Sequence, residues 1–392
     1  MIKTITILGS TGSIGKILLN VIKKNKKNYN VVLLTANNDY KTLHSQAKKF
    51  KVNNLIITNK ESFKILKKKC SRTNIKVFNN FDNFKEIFKT KVDYTMNSIV
   101  GFAGLKPTLN IMKFTKNIAI ANKESIICGW NLIKKKSILN KTKIIPIDSE
   151  HFSIWTSLNK FDLNDKKINN SIQNLFITAS GGPFKNTPVE NFKKITVNQA
   201  TKHPTWKMGQ KISIDSATLV NKLFEVIEAQ RLFNIDINKI FIKIHPLSYV
   251  HSIIRFKNGL IKISAYEPDM SIPIANSLDE NHNYYLKKKI NFQILNDLNF
   301  TDIDQKKFPI IKILNKHPNH CTLFDTALVS ANDELVSLFL NKKIPFNDIF
   351  KKLFKILNLK NIKKLKKKEP NNYKEISHIS DFVRLKTRNL CI

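Results

Sequence analysis

Glycine is scarce in this chain of 392 residues: ten in all, beside four Cys and three Trp. Arginine is scarcer than its charge class suggests, with only Arg72, Arg231, Arg255, Arg384 and Arg388 among the 67 basic residues. Lysine rises together with Asn, Ile and Phe, the pattern of a coding bias toward AT-rich codons. Cys70, Cys128, Cys321 and Cys391 stand singly, without CxxC pairing, which excludes a disulfide framework and a structural zinc site and fits a reducing compartment. No apolar run approaches the roughly 18 residues that a membrane span needs. The sequence enters a strand-like ITILG at Ile5, so no signal or transit segment is expected ahead of it. A cytoplasmic, bacterial protein without a membrane partner is expected.

What is present is a globular composition. The 42% of apolar residues, 26 Phe among them, exclude a disordered chain. At roughly 100 to 200 residues per domain the length allows two or three domains with real cores. The net charge is +38, from 67 basic against 29 acidic residues, a balance that can mark a nucleic-acid or anionic-membrane surface. The lysines are scattered, however, and the densest stretch, NLKNIKKLKKKEP at 358–370, reads as the exposed face and end of a helix. With no RNP-type motif, zinc-finger spacing or aromatic interleaving, no nucleic-acid partner is expected.

The few glycines mark the sites. Gly9, Gly12 and Gly15 fall in TITIL-GSTGSIG-KILLNVIKKN, which reads as strand, turn and helix, and VVLLTA at 31–36 follows as a second strand. In such a βαβ unit the glycines let the backbone approach a pyrophosphate, and the helix N-terminus supplies free N–H groups and a positive dipole end. The spacing is GxxGxxG rather than GxGxxG, so the placement after the first strand carries the dinucleotide reading. An NAD site usually sets an acid at the end of the second strand for the ribose 2′-OH. Here Thr35-Ala36-Asn37-Asn38-Asp39 has none at the strand end itself, which leans toward NADP.

Further strand-like segments are NLIIT (54–58), VDYTMNSIVGFAGL (92–105), NIAIANKES (117–125) and KIIPIDSEH (143–151). In the last, Asp148 and Glu150 are two apart, a spacing that puts both carboxylates on one face of an extended segment. Converging carboxylates repel unless a cation or a shared proton joins them, and oxygen ligands suit Mg²⁺ or Mn²⁺. An exposed strand end is the equally open alternative. The middle third holds ITASGGPF (177–184), ATKHPTWKMGQKISIDSATLVNKLFEVIEAQRLF (200–233) and KIHPLSYVHSIIRF (243–256). Asp215 or Ser216 is a plausible N-cap for one long helix on which Asn221, Lys222 and Glu225 share a polar arc opposite Leu219, Leu223, Val226 and Ile227. A Ser-Gly-Gly turn, a serine at the helix start and His203 in the same segment suggest a phosphate-and-metal pocket.

These residues resemble the 1-deoxy-D-xylulose 5-phosphate reductoisomerase family. The similarity runs through LGSTGSIG, GFAGLKPT, ANKES, PIDSEH, SGGPF, HPTWKMGQKISIDSATLVNK, HPLSYVHS, EPDM, FPIIKI and TALVSANDE, nearly the whole chain. The resemblance implies an α/β fold. Its parts are an N-terminal NADPH-binding Rossmann-like domain (1–149), a central α/β catalytic domain with the metal and substrate site (150–279), a linker (280–308) and a C-terminal helical domain (309–392), in a homodimer. Helical periodicity in FNDIFKKLFKILNLKNIKKLKK supports the last domain independently.

The implied activity is conversion of 1-deoxy-D-xylulose 5-phosphate to 2-C-methyl-D-erythritol 4-phosphate in the non-mevalonate route to isoprenoids. A retro-aldol/aldol rearrangement on a divalent metal would be followed by reduction with NADPH. The resemblance further implies that Thr11, Gly12, Ser13 and Ile14, with Asn122, Glu124 and Gly209, contact NADPH. Asp148, Glu150 and Glu225 would bind one divalent cation, Mg²⁺ or Mn²⁺. Lys123, Ser149 and Glu150 would touch the substrate near that ion, and Ser180, His203, Ser216, Asn221 and Lys222 would hold its phosphate end, with Glu225 counted among the substrate contacts too. Glu150, Lys123 and His203 are the expected catalytic residues, His203 foremost as a binding group and His251 a weaker acid/base candidate. Trp206 and Met208 would belong to a loop closing over the site.

The turn after the second strand departs from the family pattern: ANND stands where a Gly followed by a basic or polar residue is common, so Asn37, Asn38 and Asp39 are cofactor contacts of uncertain detail. Two alternatives stay open at this level. One is another NADP-dependent oxidoreductase of phosphorylated or carboxylated substrates; the other is a basic nucleic-acid-binding protein built on a dehydrogenase fold.

Overall fold

The protein is described by a computed structural model over residues 2–159, 163, 170–206, 208–278 and 291–391. The chain divides into two compact units: residues 1–125, 133–148 and 270–286 form one, and 126–132, 149–269 and 287–392 the other.

The first unit is built on seven strands: β1 (Lys3–Leu8), β2 (Tyr29–Ala36), β3 (Asn54–Ile57), β4 (Lys76–Phe78), β5 (Val92–Asn97), β6 (Thr115–Ile120) and β7 (Lys143–Pro146). They form one parallel sheet in the order β4-β3-β2-β1-β5-β6-β7. Runs such as Ile5-Thr6-Ile7-Leu8 and Leu55-Ile56-Ile57 are fully buried, as expected of parallel strands covered on both faces rather than alternating ones. The chain steps outward from β1 to β4, returns to β5 beside β1, and then steps the other way. Strand order therefore reverses between β1 and β5, and in open α/β sheets the ligand crevice lies at the carboxyl ends of the strands at that point. Leu18, Leu19, Val21 and Ile22 of the helix Ser13–Lys24 are buried, and Gly15 permits its close seat: a Cβ there would lie 2.6 Å from the Gly9 carbonyl oxygen. The helix Ser271–Leu278, which the sequence places inside the catalytic segment, packs in this first unit through Ile274 and Leu278. Its Ser277 hydroxyl lies 2.8 Å from that of Tyr94, and Lys3 Nζ donates to the Leu278 carbonyl at 3.1 Å.

The second unit carries β8 (Ile172–Ala179), β9 (Ile240–Ile244), β10 (Val250–Phe256) and β11 (Ile261–Ala265) in the order β11-β10-β8-β9, with β10 antiparallel to both neighbours and β8 parallel to β9. From residue 309 onward all regular structure among the described residues is helical, led by Leu323–Leu340, Phe346–Leu357 and Tyr373–Asn389. The helical segment after 346 is made of two pieces: Phe346–Leu357 ends, Leu359 takes φ −59° and ψ 137°, and the short helix Lys360–Lys363 follows. The abundant phenylalanines are spent on this core. Phe346 meets Phe184, Phe192 and Phe339 at ring-centroid distances of 5.2, 5.8 and 5.6 Å, each fully buried Phe being worth roughly 1.5–3 kcal/mol. Asp325 is fully buried, held by Arg231 at 3.1 Å and His317 at 2.9 Å, which keep its carboxyl below the usual carboxylate range against the opposing push of burial.

Of the expected linker, 280–290 lies outside the described residues, while 291–308 packs in the second unit: His245 Nδ1 lies 3.0 Å from the Asn299 carbonyl, and Phe308 meets Phe192 at 6.2 Å. Among the described residues no helix is long and apolar enough to cross a membrane.

Candidate active site

In the first unit the expected cofactor residues gather at the carboxyl ends of the parallel strands. Thr11 to Ile14 turn from β1 into the helix Ser13–Lys24. Gly12 takes the extended N-cap conformation and no side chain caps the helix, so its first N–H groups can serve a ligand. After β2, Asn37 and Asn38 are exposed, and Asn37 Oδ1 accepts from the Thr58 hydroxyl at 2.9 Å. Asp39 serves its own segment, where its carboxylate accepts from Thr42 N at 3.0 Å and caps the helix Tyr40–Phe50. After β6, Asn122, Lys123 and Glu124 are all buried, and the Lys123 ammonium pairs with Asp148, which follows β7.

Asp148 and Glu150 do not lie on one extended face, as their spacing suggested. β7 ends at Pro146, and Ser149 already opens the helix Ser149–Ser157, whose positive first turn favours the Glu150 carboxylate. Nor is there one long helix capped by Asp215 or Ser216. Both belong to a separate helix, Gln210–Ala217, in which Thr218 N closes on the Ile214 carbonyl at 2.9 Å. Leu219 then adopts a left-handed conformation (φ 58°) and the helix Val220–Phe233 begins. A left-handed leucine costs on the order of 1–3 kcal/mol and persists where the surroundings fix it.

Within the second unit, Glu150 and Glu225 converge on Lys222. Lys222 Nζ donates to Glu150 Oε1 at 2.6 Å and to Glu225 Oε2; Asn221 Nδ2 donates to Glu225 Oε1, and Ser149 Oγ to Glu150 Oε2 at 2.6 Å. Asn221, Lys222 and Glu225 do share one helical arc, but the helix is buried nearly all round rather than amphipathic. Carboxylate oxygens of Glu150 and Glu225 lie within 4.8 Å of one another, so the pair can grip a small divalent cation. Burial pushes the Lys222 amine down, but the two carboxylates outweigh it and hold the ammonium above its ordinary value.

Ser180 lies opposite His203, Oγ to Nε2 at 3.2 Å. His203 Nδ1 accepts from Trp206 N at 3.0 Å and Thr205 N at 3.2 Å, which assigns the proton of the neutral ring to Nε2. Burial first, and then the Lys222 charge, lower the His203 pKa to about 4, so the ring is neutral near pH 7 and offers one N–H. Gly182 seats the Ser-Gly-Gly turn on the end of the helix Gln210–Ala217: its φ is +67°, and a Cβ would stand 2.9 Å from the Ser216 carbonyl oxygen. The turn that carries Ser180 thereby packs against the helix end that carries Ser216. His251 is buried, stacked on Tyr266 with centroids 3.9 Å apart, and burial lowers its pKa to about 4 although Glu150 pulls the other way. Trp206 meets His251 edge-on at 6.3 Å. Gly209 caps the helix Gln210–Ala217 on the exposed side, and Met208 beside it is half-buried.

Three residues that support the site carried no assignment at the sequence level. His151, fully buried, places Nε2 2.9 Å from the Glu225 backbone oxygen and Nδ1 3.5 Å from the Glu228 carboxylate. Tyr266 donates its hydroxyl to the Ser149 carbonyl at 2.8 Å. His151 follows the acids directly and Glu228 stands one turn beyond Glu225, signals open to a pattern reading; Tyr266 is distant in sequence and left none.

The family described as 1-deoxy-D-xylulose 5-phosphate reductoisomerase matches residues 5–129, its C-terminal domain description matches 144–233, and the DXP reductoisomerase C-terminal domain matches 266–386. The chain is 52% identical over 393 residues to the 1-deoxy-D-xylulose 5-phosphate reductoisomerase of Pelagibacter ubique, covering 100% of both. A solved DOX-P reductoisomerase in complex with NADPH, fosmidomycin and magnesium superposes with a TM-score of 0.92 at 30% identity, covering 99% of this chain and 98% of that one. The Zymomonas mobilis enzyme in complex with NADPH gives 0.86 at 31% identity, covering 100% and 99%.

Proposed function

The chain belongs to the 1-deoxy-D-xylulose 5-phosphate reductoisomerase family, and from that premise we infer how its residues divide the work of the reaction. The enzyme carries out the NADPH- and divalent-metal-dependent rearrangement and reduction of 1-deoxy-D-xylulose 5-phosphate to 2-C-methyl-D-erythritol 4-phosphate. The observation that carries the division of roles is the Glu150–Lys222–Glu225 cluster, beside which Ser180 and His203 offer neutral donors.

Asp148, Glu150 and Glu225 would hold the divalent ion, as the family resemblance implies; carboxylate donors suit a hard cation, and within the second unit the Lys222 ammonium between Glu150 and Glu225 marks where positive charge is stable. Held by these residues, a divalent ion would supply Lewis-acid polarisation of the substrate's oxygens. Lys123, anchored on Asp148, and Ser149 orient the substrate at this end. Ser180, His203, Ser216, Asn221 and Lys222 take the phosphate; a neutral His203 with its proton on Nε2 is a donor here rather than a general acid near pH 7. Trp206 and Met208 close over the reacting carbons and exclude water.

In the first unit, Thr11 to Ile14, Asn37 to Asp39, Asn122 and Glu124 bind NADPH, joined by Gly209, and the bound dinucleotide supplies the hydride. Residues 1–149 together with the helix Ser271–Leu278, residues 150–269, and residues 309–392 are the cofactor, catalytic and helical portions of this division. The same reading includes a cytoplasmic location, in keeping with four free cysteines. It also includes a homodimer, supported by the edge strand β11, where Ile261 and Ile263 stand 59 and 52% exposed and Leu260 just before it 62%.

The deciding assay follows NADPH oxidation by purified protein with 1-deoxy-D-xylulose 5-phosphate and Mg²⁺ or Mn²⁺, and with EDTA. Turnover that needs sugar phosphate and metal together is expected. Folded protein inactive under these conditions refutes the reading.

A further inference from the structure

The GFAG turn (Gly101–Gly104) stood out in the sequence and has no part in the roles above. We propose that it is a positioning device for Asn122: Gly104 leaves the space in which the Asn122 amide sits with Oδ1 set to accept a hydrogen bond from the bound dinucleotide. The proposal rests on the reading of the first unit as the NADPH site.

Asn122 precedes the helix Lys123–Leu139, where an asparagine ordinarily caps the helix with its side chain, yet it makes no such bond. Its Nδ2 donates instead to two backbone oxygens of the neighbouring loop, Ile99 O at 2.5 Å and Gly101 O at 3.1 Å. Both protons of the amide are thus spent, and a flipped amide would set Oδ1 against two carbonyl oxygens. The orientation is fixed by the network, and among the described residues Oδ1 is left buried without a hydrogen-bond partner, on a residue 4% exposed. A buried acceptor held in this state is costly unless a ligand N–H or O–H reaches it.

Gly104 makes the arrangement possible. A Cβ there would stand 1.9 Å from Asn122 Nδ2 and 2.9 Å from the Ile99 oxygen, so any side chain evicts the amide. The Gly104 peptide cannot yield easily. Its carbonyl accepts from Asn97 Nδ2 at 3.1 Å and Thr108 Oγ1 at 2.8 Å, both residues fully buried, and its N–H donates to Gly101 O at 3.2 Å. The turn follows β5, beside the glycine-rich turn after β1: Ser98 Oγ donates to Gly9 O at 3.0 Å. Asn122 follows β6, next to β5. The acceptor therefore stands by the crevice where strand order reverses.

The test is binary NADPH binding, read calorimetrically, for the wild type, Gly104→Ala, Asn122→Ala and the double variant, with melting temperatures and KM for the sugar phosphate alongside. Each single substitution is expected to raise the NADPH Kd roughly tenfold, the scale of one lost hydrogen bond, with little change in the sugar-phosphate KM. The double variant should bind no worse than Asn122→Ala, because Gly104 acts through Asn122. Penalties that multiply, or a Gly104→Ala Kd within about twofold of wild type, overturn the proposal. Should Gly104→Ala not fold, Asn122→Asp, nearly isosteric but unable to donate to Ile99 O and Gly101 O, is expected to lose NADPH affinity; retained affinity overturns the proposal. A wild-type chain that does not bind NADPH refutes the cofactor reading itself, whereas wild-type binding with unaffected variants refutes only the positioning role.

Discussion

Replacing Lys222 with Met keeps the length of the side chain and removes the ammonium that Glu150 and Glu225 share. Side-chain exposures are 5% for Lys222, 13% for Glu150 and 1% for Glu225, so solvent does little to screen the two acids once the cation is gone. Removing one partner from a buried ion pair costs roughly 3–5 kcal/mol; the partial exposure of Glu150 argues for the lower end, about 3 kcal/mol. At roughly 2–4 °C per kcal/mol this is a fall of about 6–12 °C in melting temperature, measured in EDTA. Magnesium should reverse it unevenly. Wild type gains the ordinary ligand stabilisation, roughly 2.7 kcal/mol at a hundredfold excess over Kd. The variant should gain more, because its site carries one more net negative charge and a divalent ion replaces the missing countercharge. Scanning fluorimetry of both proteins with EDTA and across a Mg²⁺ titration gives the four numbers needed. Equal melting temperatures in EDTA, or a Mg²⁺ increment no larger than that of wild type, refute the reasoning.

Further outcomes follow from the same geometry. Glu225→Gln should abolish metal-dependent turnover while the protein stays folded, checked by NADPH oxidation and circular dichroism. Gly182→Ala forces a side chain onto a left-handed backbone 2.9 Å from the Ser216 oxygen. It should destabilise by on the order of 1–3 kcal/mol in urea unfolding and raise the KM for the sugar phosphate, since Ser180 sits on that turn. His251 has a folded pKa of about 4 against an ordinary 6.5. Its contribution to stability is complete above pH 6.5 and is lost as pH falls toward 4, where the unfolded chain takes up a proton that the buried ring resists; His251→Asn should flatten the decline in melting temperature across that window. Ile261→Lys with Ile263→Lys, on the exposed edge strand, should yield a monomer by light scattering, and an unchanged mass would exclude β11 as the dimer surface.

The features whose causes are local were legible in the amino-acid order alone. The GSTGSIG turn followed by a buried helical stripe, the unbroken apolar strands of the parallel sheet and the helical C-terminal portion could each be read from spacing and pattern, because their period and their turns are set within a few residues. The acids were legible only in parts, as an Asp148–Glu150 pair and as Glu225 on one arc with Lys222; joining the three came from the family resemblance, since no spacing links residues 75 apart. Local reasoning failed where tertiary packing overrode it. Spacing alone made Asp148 and Glu150 an extended pair, but the strand stops at Pro146 and a helix begins at Ser149; a long capped helix was expected where Leu219, a residue with no turn signature, is held left-handed. It took the folded chain to show that Lys222 bridges Glu150 and Glu225, that Tyr266 braces Ser149 from 117 residues away, and that the GFAG turn is shaped around Asn122. These are contacts between segments remote in sequence, and their strength comes from shared burial, a property that no single stretch of the chain possesses.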